Sequence, residues 1–349
     1  MTTVVEEETK LVEEEGRAVT MHDIARVAGV SQSTVSRVLN ATKTLVPIAP
    51  NTKERVLEVA RSLSYRPNPL ARGLRGAKTM LLGVIAREIA DPFFATAVDA
   101  LSYQAMERGY NVVLGSAHSR ADEAMLLRAV LETRHCDAIL VLGDMRDQPR
   151  LIDDLRASNT PVVALWQGPT LEGVPTINID NRSGIFEAVD HLASLGHRRF
   201  GFIGGHTLGD IRQRKDAFTE RLTELGLPTS SDHIQDVNND AEGGHDALRS
   251  LMSLAEPPTA IVAATDHLAS GVLNAAYMLG INVPGQLSVI GFDDIPLAAY
   301  TVPPLTTLHM PISEMTELAV RVAIDRITPH DHVLTPTLVV RQSTGPAPG

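Results

Sequence analysis

The stretch from Thr20 to Asn40, TMHDIARVAGVSQSTVSRVLN, has the pattern of two short helices joined by a tight turn. Thr20 and Asp23 have the spacing of a capping box, which predicts that the first helix begins immediately after Thr20. Gly29 ends this helix, because glycine readily adopts the left-handed backbone that a tight turn needs. Three apolar residues fall on one face of the predicted helix: Ile24, Ala25 and Ala28.

The second helix of this pair is predicted to begin after Ser31, a favourable N-cap residue, and to bury Val35 and Val38. Its other face is polar, and there Arg37 suits the acceptor pair of guanine and Gln32 that of adenine in the major groove. This layout is typical of a helix-turn-helix whose second helix reads bases; the alternative is an ordinary helical hairpin with its polar face in water. The residues expected at double-stranded DNA are Thr20, Gln32, Ser33, Thr34, Ser36, Arg37 and Asn40.

The charge around this motif favours the DNA-binding alternative. From Arg17 to Lys78 the chain has eleven Lys and Arg against three acidic residues, a net charge of +8, whereas the whole chain carries −11. A basic segment on an acidic protein is the electrostatic pattern expected for contact with phosphates. Residues 1–18, by contrast, contain two acidic runs and are expected to form a disordered tail.

Composition excludes several other classes. A chain of 349 residues is expected to form two or three domains, and its single cysteine, Cys136, excludes an internal disulfide framework. There is no signal-peptide pattern, and no apolar run approaches the ~20 residues of a membrane span, so we expect a cytoplasmic protein without membrane contact. The histidines lack metal-ligand spacing, the glycine-rich stretches match no cofactor fingerprint, and no nucleophile, base and orienter assemble. We therefore expect no catalytic residues, metal or cofactor.

Downstream of the helix pair, a third helix is predicted from Asn51, as its N-cap with Glu54 three residues on, to about Tyr65. The stretch PNPLARGLRG, residues 67–76, then has the proline and glycine content of a linker. Its middle is long enough for one or two helical turns, which would be unstable alone.

From Thr79 onward, short apolar runs alternate with amphipathic stretches such as Phe94–Arg108 and Ala121–Thr133. Such alternation predicts parallel sheets with helices on both faces, and the length suggests two lobes. The predicted strands are Met80–Ala86, Asn111–Ser116, Ala138–Leu142, Val162–Leu165, Phe200–Gly204, Ile261–Ala264 and Ser288–Phe292.

These features together resemble a known family. TMHDIARVAGVSQSTVSRVLN, followed by TKERVLEVARSLSYRPN and PLARGLR, is similar to the LacI (lactose repressor) family of bacterial transcription regulators, and so are DHLASLGHRRFGFIGG, AIVAATDHLASG, SVIGFDD and PPLTTLHM. The resemblance runs from about Val19 to Thr344. It implies a dimeric, operator-binding regulator whose DNA affinity is set by a small effector, usually a sugar or a nucleobase.

The resemblance implies a multidomain fold, with an all-α helix-turn-helix domain at 19–66, a hinge helix or linker at 67–78 and a two-lobed, periplasmic-binding-protein-like α/β domain at 79–344. In that fold the chain crosses between lobes three times, here near Ile179, Leu308 and Leu338. The first lobe would comprise about 79–178 and 309–338, and the second about 179–308 and 339–344. The hinge helix would kink DNA from the minor groove through Leu74, with Ala71 and Arg72 beside it.

The same resemblance places an effector between the lobes, where strands end. Asp293 would hydrogen-bond the ligand, Arg214 would clamp its oxygens, and Trp166 stands where many relatives carry an aspartate. The full set implied is Phe93, Phe94, Trp166, Arg214, Thr265, Asp266 and Asp293. Each has a structural alternative: Asp293 can end a strand and cap a turn, Arg214 can begin a solvated helix, and the aromatic residues can be plain core.

We therefore expect a sequence-specific DNA-binding regulator, of the repressor type, controlled by a sugar or sugar derivative; a nucleobase is the other effector considered. The alternative class is a small-solute-binding module without a role at DNA, and an enzyme ranks below both. Because no leucine heptad that could build a tetramer follows Leu338–Thr344, a homodimer is expected.

Overall fold

The computed structural model describes residues 19–39, 47–65, 78–117, 136–145, 149–157, 160–166, 168, 173–205, 209–325 and 331–349. The chain divides into two compact units, with the boundary between Arg72 and Gly73. The predicted helix Ala121–Thr133 lies outside the described residues, as do Asn40, Ala71, Arg72 and Leu74.

The first unit contains three helices around one small core, namely α1 (Met21–Ala28), α2 (Gln32–Leu39) and α3 (Pro50–Ser62). The predicted capping box is present: the Thr20 backbone N–H donates to Asp23 Oδ2 at 2.8 Å, and the Asp23 N–H donates to Thr20 Oγ1 at 3.4 Å. Gly29 has the predicted left-handed backbone, with φ of 63°. The predicted apolar stripes meet in the core, which includes Ile24, Ala28, Val35, Val38, Val56 and Val59.

The predicted cap of α3 is wrong. The helix begins at Pro50 after Ala49, and Asn51 therefore lies within the first turn. Proline favours this start because its fixed φ suits the first helical position, where its missing N–H costs nothing. The Ala49 carbonyl accepts from the N–H groups of Thr52 and Lys53, both at 3.0 Å.

The second unit is built on two six-stranded sheets. The first sheet has the order β11-β5-β4-β3-β1-β2 and is parallel throughout. The second has the order β12-β10-β9-β8-β6-β7, in which only the edge strand β12 is antiparallel. The strands are β1 Leu81–Ala86, β2 Asn111–Ser116, β3 Ala138–Leu142, β4 Val162–Leu165, β5 Thr176–Ile179, β6 Phe200–Gly204, β7 Ile234–Asp236, β8 Ala260–Ala263, β9 Ser288–Asp293, β10 Thr306–His309, β11 His332–Leu334 and β12 Thr337–Val339.

Helices cover both sheets, which confirms the predicted two-lobed α/β class. They are α4 Pro92–Glu107, α5 Pro149–Ala157, α6 Asn181–Ser194, α7 Gly209–Glu224, α8 Ala241–Met252, α9 Asp266–Met278 and α10 Ile312–Asp325. Helices α4 and α10 pack together beside the first sheet, and α8 packs against α9 beside the second. Each predicted strand is present to within one residue at either end; β5, β7, β10, β11 and β12 were not predicted.

The chain passes between the sheets at three places: after β5, between β10 and α10, and between β11 and β12. The last passage lies between Leu334 and Thr337, so Leu338 is part of β12 in the second sheet. Because the chain changes lobe repeatedly, the carboxyl ends of the parallel strands of both lobes can line one cleft.

Candidate functional site

The exposed face of α2 is polar, as its sequence predicts. Gln32, Ser33 and Arg37 are exposed, whereas Thr34 and Ser36 are half-buried. Ser31 caps the helix by accepting a hydrogen bond from the Thr34 N–H at 3.2 Å. The side chains of Gln32 and Arg37 thus stand on a helix whose other face is fixed by the core, which is the geometry that a base-reading helix requires.

Thr20 is exposed, but its hydroxyl already forms a hydrogen bond at the start of α1. Its hydroxyl donates to Asp23 Oδ2 at 2.7 Å, and the Asp23 carboxylate also lies 3.6 Å from Arg26 Nη2. A hydroxyl and N–H groups at a helix N-terminus are suited to holding a phosphate. Thr20 is the N-cap of α1 and is not part of α2.

In the second unit, a small cavity lies between the two sheets, at the carboxyl ends of their strands. Its volume is about 20 Å³, which is room for about one water molecule. Five of the seven predicted effector residues line it, namely Phe93, Phe94, Arg214, Thr265 and Asp293. The residues that sequence reasoning missed are Arg87, Asp91, Gly143, Asp144, Asp210, Ile211 and Asn239.

Two hydrogen bonds join the lobes across this cavity. Asn239, which follows β7, donates from its amide to Asp91 Oδ2 at 3.0 Å. The backbone N–H of Gly209, at the start of α7, donates to Asp144 Oδ2 at 2.7 Å. The other Asp91 oxygen caps α4 through the Phe93 N–H at 2.9 Å, so this carboxylate is fixed from both sides.

With Arg87, Arg214 is one of two buried arginines that line the described wall of the cavity. Its Nε donates to Asn181 Oδ1 at 2.8 Å and its Nη1 to the Ala264 carbonyl at 2.6 Å. Its guanidinium lies 3.6 Å from the centre of the Phe292 ring. Two carboxylates flank it, Asp293 at 3.6 Å and Asp210 at 3.7 Å. The guanidinium is therefore held in one orientation, with its charge balanced by protein carboxylates.

Asp293 ends β9 with a φ of 121°, a backbone conformation that side chains other than glycine rarely adopt. Burial raises its pKa well above the ordinary value, more than the nearby Arg214 lowers it. Burial likewise raises the pKa of Asp91. Strain and costly burial at one side chain are typical of a functional position.

Asp266 and Trp166 do not line the cavity. Asp266 accepts from the Thr307 hydroxyl at 2.5 Å and from the Ile295 N–H at 2.9 Å, which ties α9 to β10. Trp166 is 2% exposed, and its indole N–H donates to Met315 Sδ at 3.3 Å. It also meets Phe93 edge-on at 4.9 Å between ring centroids, and so supports the cavity wall from behind.

Three of the seven missed residues share one signal. Arg87 directly follows β1, and Gly143 and Asp144 directly follow β3, so each stands at the carboxyl end of a predicted strand. Gly143 has φ of 87°, and a Cβ there would lie 2.7 Å from the Phe94 ring, so only glycine leaves room for that wall. Asn239 follows β7, a strand that was itself not predicted.

A helix-turn-helix unit followed by a two-lobed unit with a polar cleft defines a class of protein: a transcription regulator that binds DNA and responds to a small molecule. A family model for bacterial regulatory proteins of the lacI family matches residues 20–68. A second model, for a periplasmic binding protein-like domain, matches residues 189–344.

The relatives extend the match over almost the whole chain. Catabolite control protein A of Priestia megaterium is 33% identical over 306 residues, covering 87% of this chain and 91% of that protein. The HTH-type transcriptional repressor CytR of Escherichia coli (strain K12) is 33% identical over 89% of this chain and 90% of its own length. The chain belongs to the lacI family of bacterial regulatory proteins; it is a DNA-binding transcription regulator and not an enzyme.

Solved structures agree with this fold. A lac repressor dimer bound to operator and the anti-inducer ONPF superposes with a TM-score of 0.81 at 24% identity, covering 94% of this chain and all of that one. A complex of the transcriptional regulator CelR with cellobiose has a TM-score of 0.68 and 28% identity, and covers 93% and 99%.

Among the described residues, no helix is long and apolar enough to cross a membrane. The described part of the chain also contains no group of three or more metal-binding side chains. Cys136 is buried, and this burial raises the pKa of its thiol to about 11. A thiol that resists ionisation is unreactive, which is typical of a structural cysteine.

Proposed function

We propose that this chain is a cytoplasmic repressor that binds a near-palindromic operator as a homodimer, and that a sugar or sugar-related molecule in the cleft changes its operator affinity. The carrying observation is that Arg214 and Asp293 of the second lobe face Phe93 and Phe94 of the first across one cavity. The charged side chains on one side of the cavity suit the hydroxyl groups of a sugar, and the aromatic rings on the other side suit its apolar face. The structural similarity to the transcriptional regulator CelR, which was solved in complex with cellobiose, supports this ligand class.

For the DNA side, we propose that Gln32, Ser33 and Arg37 contact base edges. Their exposure on α2 supports this, and the planar fork of Arg37 matches the two acceptors of guanine. Thr34, Ser36 and Asn40 complete the proposed surface, and Thr20 is assigned to phosphate at the start of α1. The domain limits at 19–66, 67–78 and 79–344, and the minor-groove role of Ala71, Arg72 and Leu74, are part of the same proposal.

Exposed apolar side chains support assembly as a homodimer. On α4, Tyr103 and Met106 are 58% and 61% exposed, and on α9 Tyr277 is 80% exposed. Tyr300 and Val302, which follow β9, are 81% and 88% exposed. Large apolar groups of this kind, gathered on a few elements, are typical of surfaces that a partner covers.

The test is operator selection from a random DNA library, followed by affinity measurements with and without a panel of mono- and disaccharides. Wild-type protein should select a near-palindromic site, and at least one sugar should change its affinity. Asp293→Asn should bind the operator normally but lose the response. Asparagine is the chosen replacement because it tolerates positive φ, so the backbone of β9 is kept.

Asp246→Asn, an exposed change on α8, is the matched control and should respond like wild type. A protein that binds sugars but selects no DNA would instead be a solute-binding module. A response that survives unchanged in Asp293→Asn would remove Asp293 from the ligand site.

A further inference from the structure

We infer that the cleft selects an uncharged or positively charged, hydroxyl-rich ligand and rejects one that carries a phosphate or carboxylate. This inference rests on the proposed function, because it concerns the ligand of the same cleft. Two features of the cavity wall support it. Acidic side chains outnumber basic ones, and the two arginines of the wall already form hydrogen bonds within the protein.

Acidic residues outnumber basic ones on the wall. Only Arg87 and Arg214 carry positive charge there, so the formal charge of the described wall is −2 once its four carboxylates are counted: Asp91, Asp144, Asp210 and Asp293. Each of the four is an acceptor of hydrogen bonds and none is a donor when ionised. A ligand that brings hydrogen-bond donors can therefore pair with them, whereas a group that brings only acceptors cannot.

Both cations are engaged by the protein. Arg87 donates from Nη1 to the Asp144 carbonyl. Arg214 donates hydrogen bonds from Nε and Nη1 to Asn181 and the Ala264 carbonyl. Its guanidinium also lies beside the carboxylates of Asp293 and Asp210. An anionic ligand that pairs with Arg214 would have to displace a carboxylate from it, and that carboxylate is part of the same wall.

The existing contacts show what kind of group the ligand should offer. Asp91 and Asp144 accept hydrogen bonds from the Asn239 amide and the Gly209 N–H, which are uncharged donors. Sugar hydroxyls and protonated amines are donors that can replace these groups when the lobes separate around a ligand. A phosphate or carboxylate offers only acceptors, and its charge would add to a site where burial already raises the pKa of Asp91 and Asp293.

The experiment uses the purified full chain and matched ligand sets, in which one sugar is offered as the neutral form, the 2-amino derivative, the 6-phosphate and the uronate. Glucose and galactose are the first parents tested, by calorimetry and thermal shift. A metabolite extract is screened in parallel, with any retained molecule identified by mass spectrometry. We expect the neutral or amino form to bind at least about tenfold more tightly than its anionic counterpart.

Asp210→Asn tests the cause. It removes one wall carboxylate that lies 3.7 Å from Arg214. The ratio of the affinity for the neutral form to that for the anionic form should therefore decrease by roughly tenfold. Asp216→Asn is the matched control, because Asp216 is on the same helix but is exposed and does not line the cavity. That variant should leave the preference unchanged.

An anionic ligand that binds as tightly as its neutral form, or an Asp210→Asn variant with an unchanged preference, would overturn the charge inference and leave the proposed function standing. If no molecule of the panel or the extract binds, the proposed effector cleft itself fails, and this inference fails with it. Operator binding, measured on the same preparations, shows that the protein tested is folded and active in each case.

Discussion

The carboxylate of Asp144, which follows β3 in the first lobe, accepts a hydrogen bond from the backbone N–H of Gly209, the first residue of α7 in the second lobe, at 2.7 Å. A helix N-terminus carries partial positive charge and unpaired N–H groups. Asp144 therefore acts as a helix cap supplied across the cleft. Together with the bond between Asp91 and Asn239, it holds the lobes closed around a cavity of only about 20 Å³.

Asp144→Ala should shift the second unit toward an open arrangement of its lobes. Loss of a carboxylate cap costs about 1 kcal/mol, which corresponds to roughly a fivefold change in the ratio of open to closed forms. Spin labels on α4 and α8 report the lobe separation, and the variant should populate longer distances than wild type in the absence of any sugar. Asp246→Ala, on the exposed face of α8, should keep the wild-type distribution. An unchanged distribution in Asp144→Ala would show that other contacts close the cleft.

Arg37→Ala should weaken operator binding by roughly 1–3 kcal/mol and relax the base preference at one operator position. The reason is the loss of a bidentate contact that only the correct base can satisfy. Selection from a library randomised at single positions measures this directly. Arg55, exposed on α3, provides the comparison: Arg55→Ala should change affinity equally for all sequences. Retention of the full wild-type preference in Arg37→Ala would exclude Arg37 from base reading.

Operator affinity should fall steeply with salt, because the segment from Arg17 to Lys78 carries a net charge of +8 in each subunit of an acidic protein. The logarithm of the binding constant should decrease linearly with the logarithm of salt concentration, with a slope of about −0.9 per phosphate contacted. Fluorescence anisotropy at salt concentrations from about 50 to 300 mM measures this slope. A nearly flat response would leave the basic segment without a role in DNA binding.

Local rules predicted most of the three-helix core of the first unit. The capping box of Thr20 and Asp23 and the left-handed Gly29 follow from chemistry within a few residues, and both are present. The cap at Asn51 failed because two local signals competed: proline at position 50 fixes the backbone one residue earlier and starts the helix itself.

The cleft could be predicted only in part, because its contacts join residues that are far apart in the chain. Asp293 and Thr265, which the resemblance implied and which follow predicted strands, do line the cavity. By contrast, whether Trp166 faces the cavity depends on Met315, 149 residues later, which takes its indole N–H. The partners of Asp91 and Asp144 likewise lie in the other lobe, and nothing in the local sequence specifies them.

Asp266 provides a prediction about pH. Burial raises the pKa of its carboxyl group from the ordinary value of 3.8 to about 7, although Thr307 and Ile295 donate hydrogen bonds to it. Because the folded-state pKa is the higher one, the folded protein binds a proton between about pH 4 and pH 7 that the unfolded chain does not. The contribution of Asp266 to stability therefore increases as pH falls through 7, and its ionised form costs the most above that pH.

The difference in unfolding free energy between wild type and Asp266→Asn reports Asp266 together with its coupling to Asp293, whose pKa the Asp266 charge raises. The other titrating groups, including Asp91 and His197, are present in both proteins. Between pH 8 and pH 5.5 the difference should move by about 1–2 kcal/mol in favour of wild type. Urea unfolding followed by circular dichroism measures it at each pH. A constant difference over this range would mean that the Asp266 carboxyl group has the same charge in the folded and unfolded protein. That result would contradict a pKa raised by burial between α9 and β10.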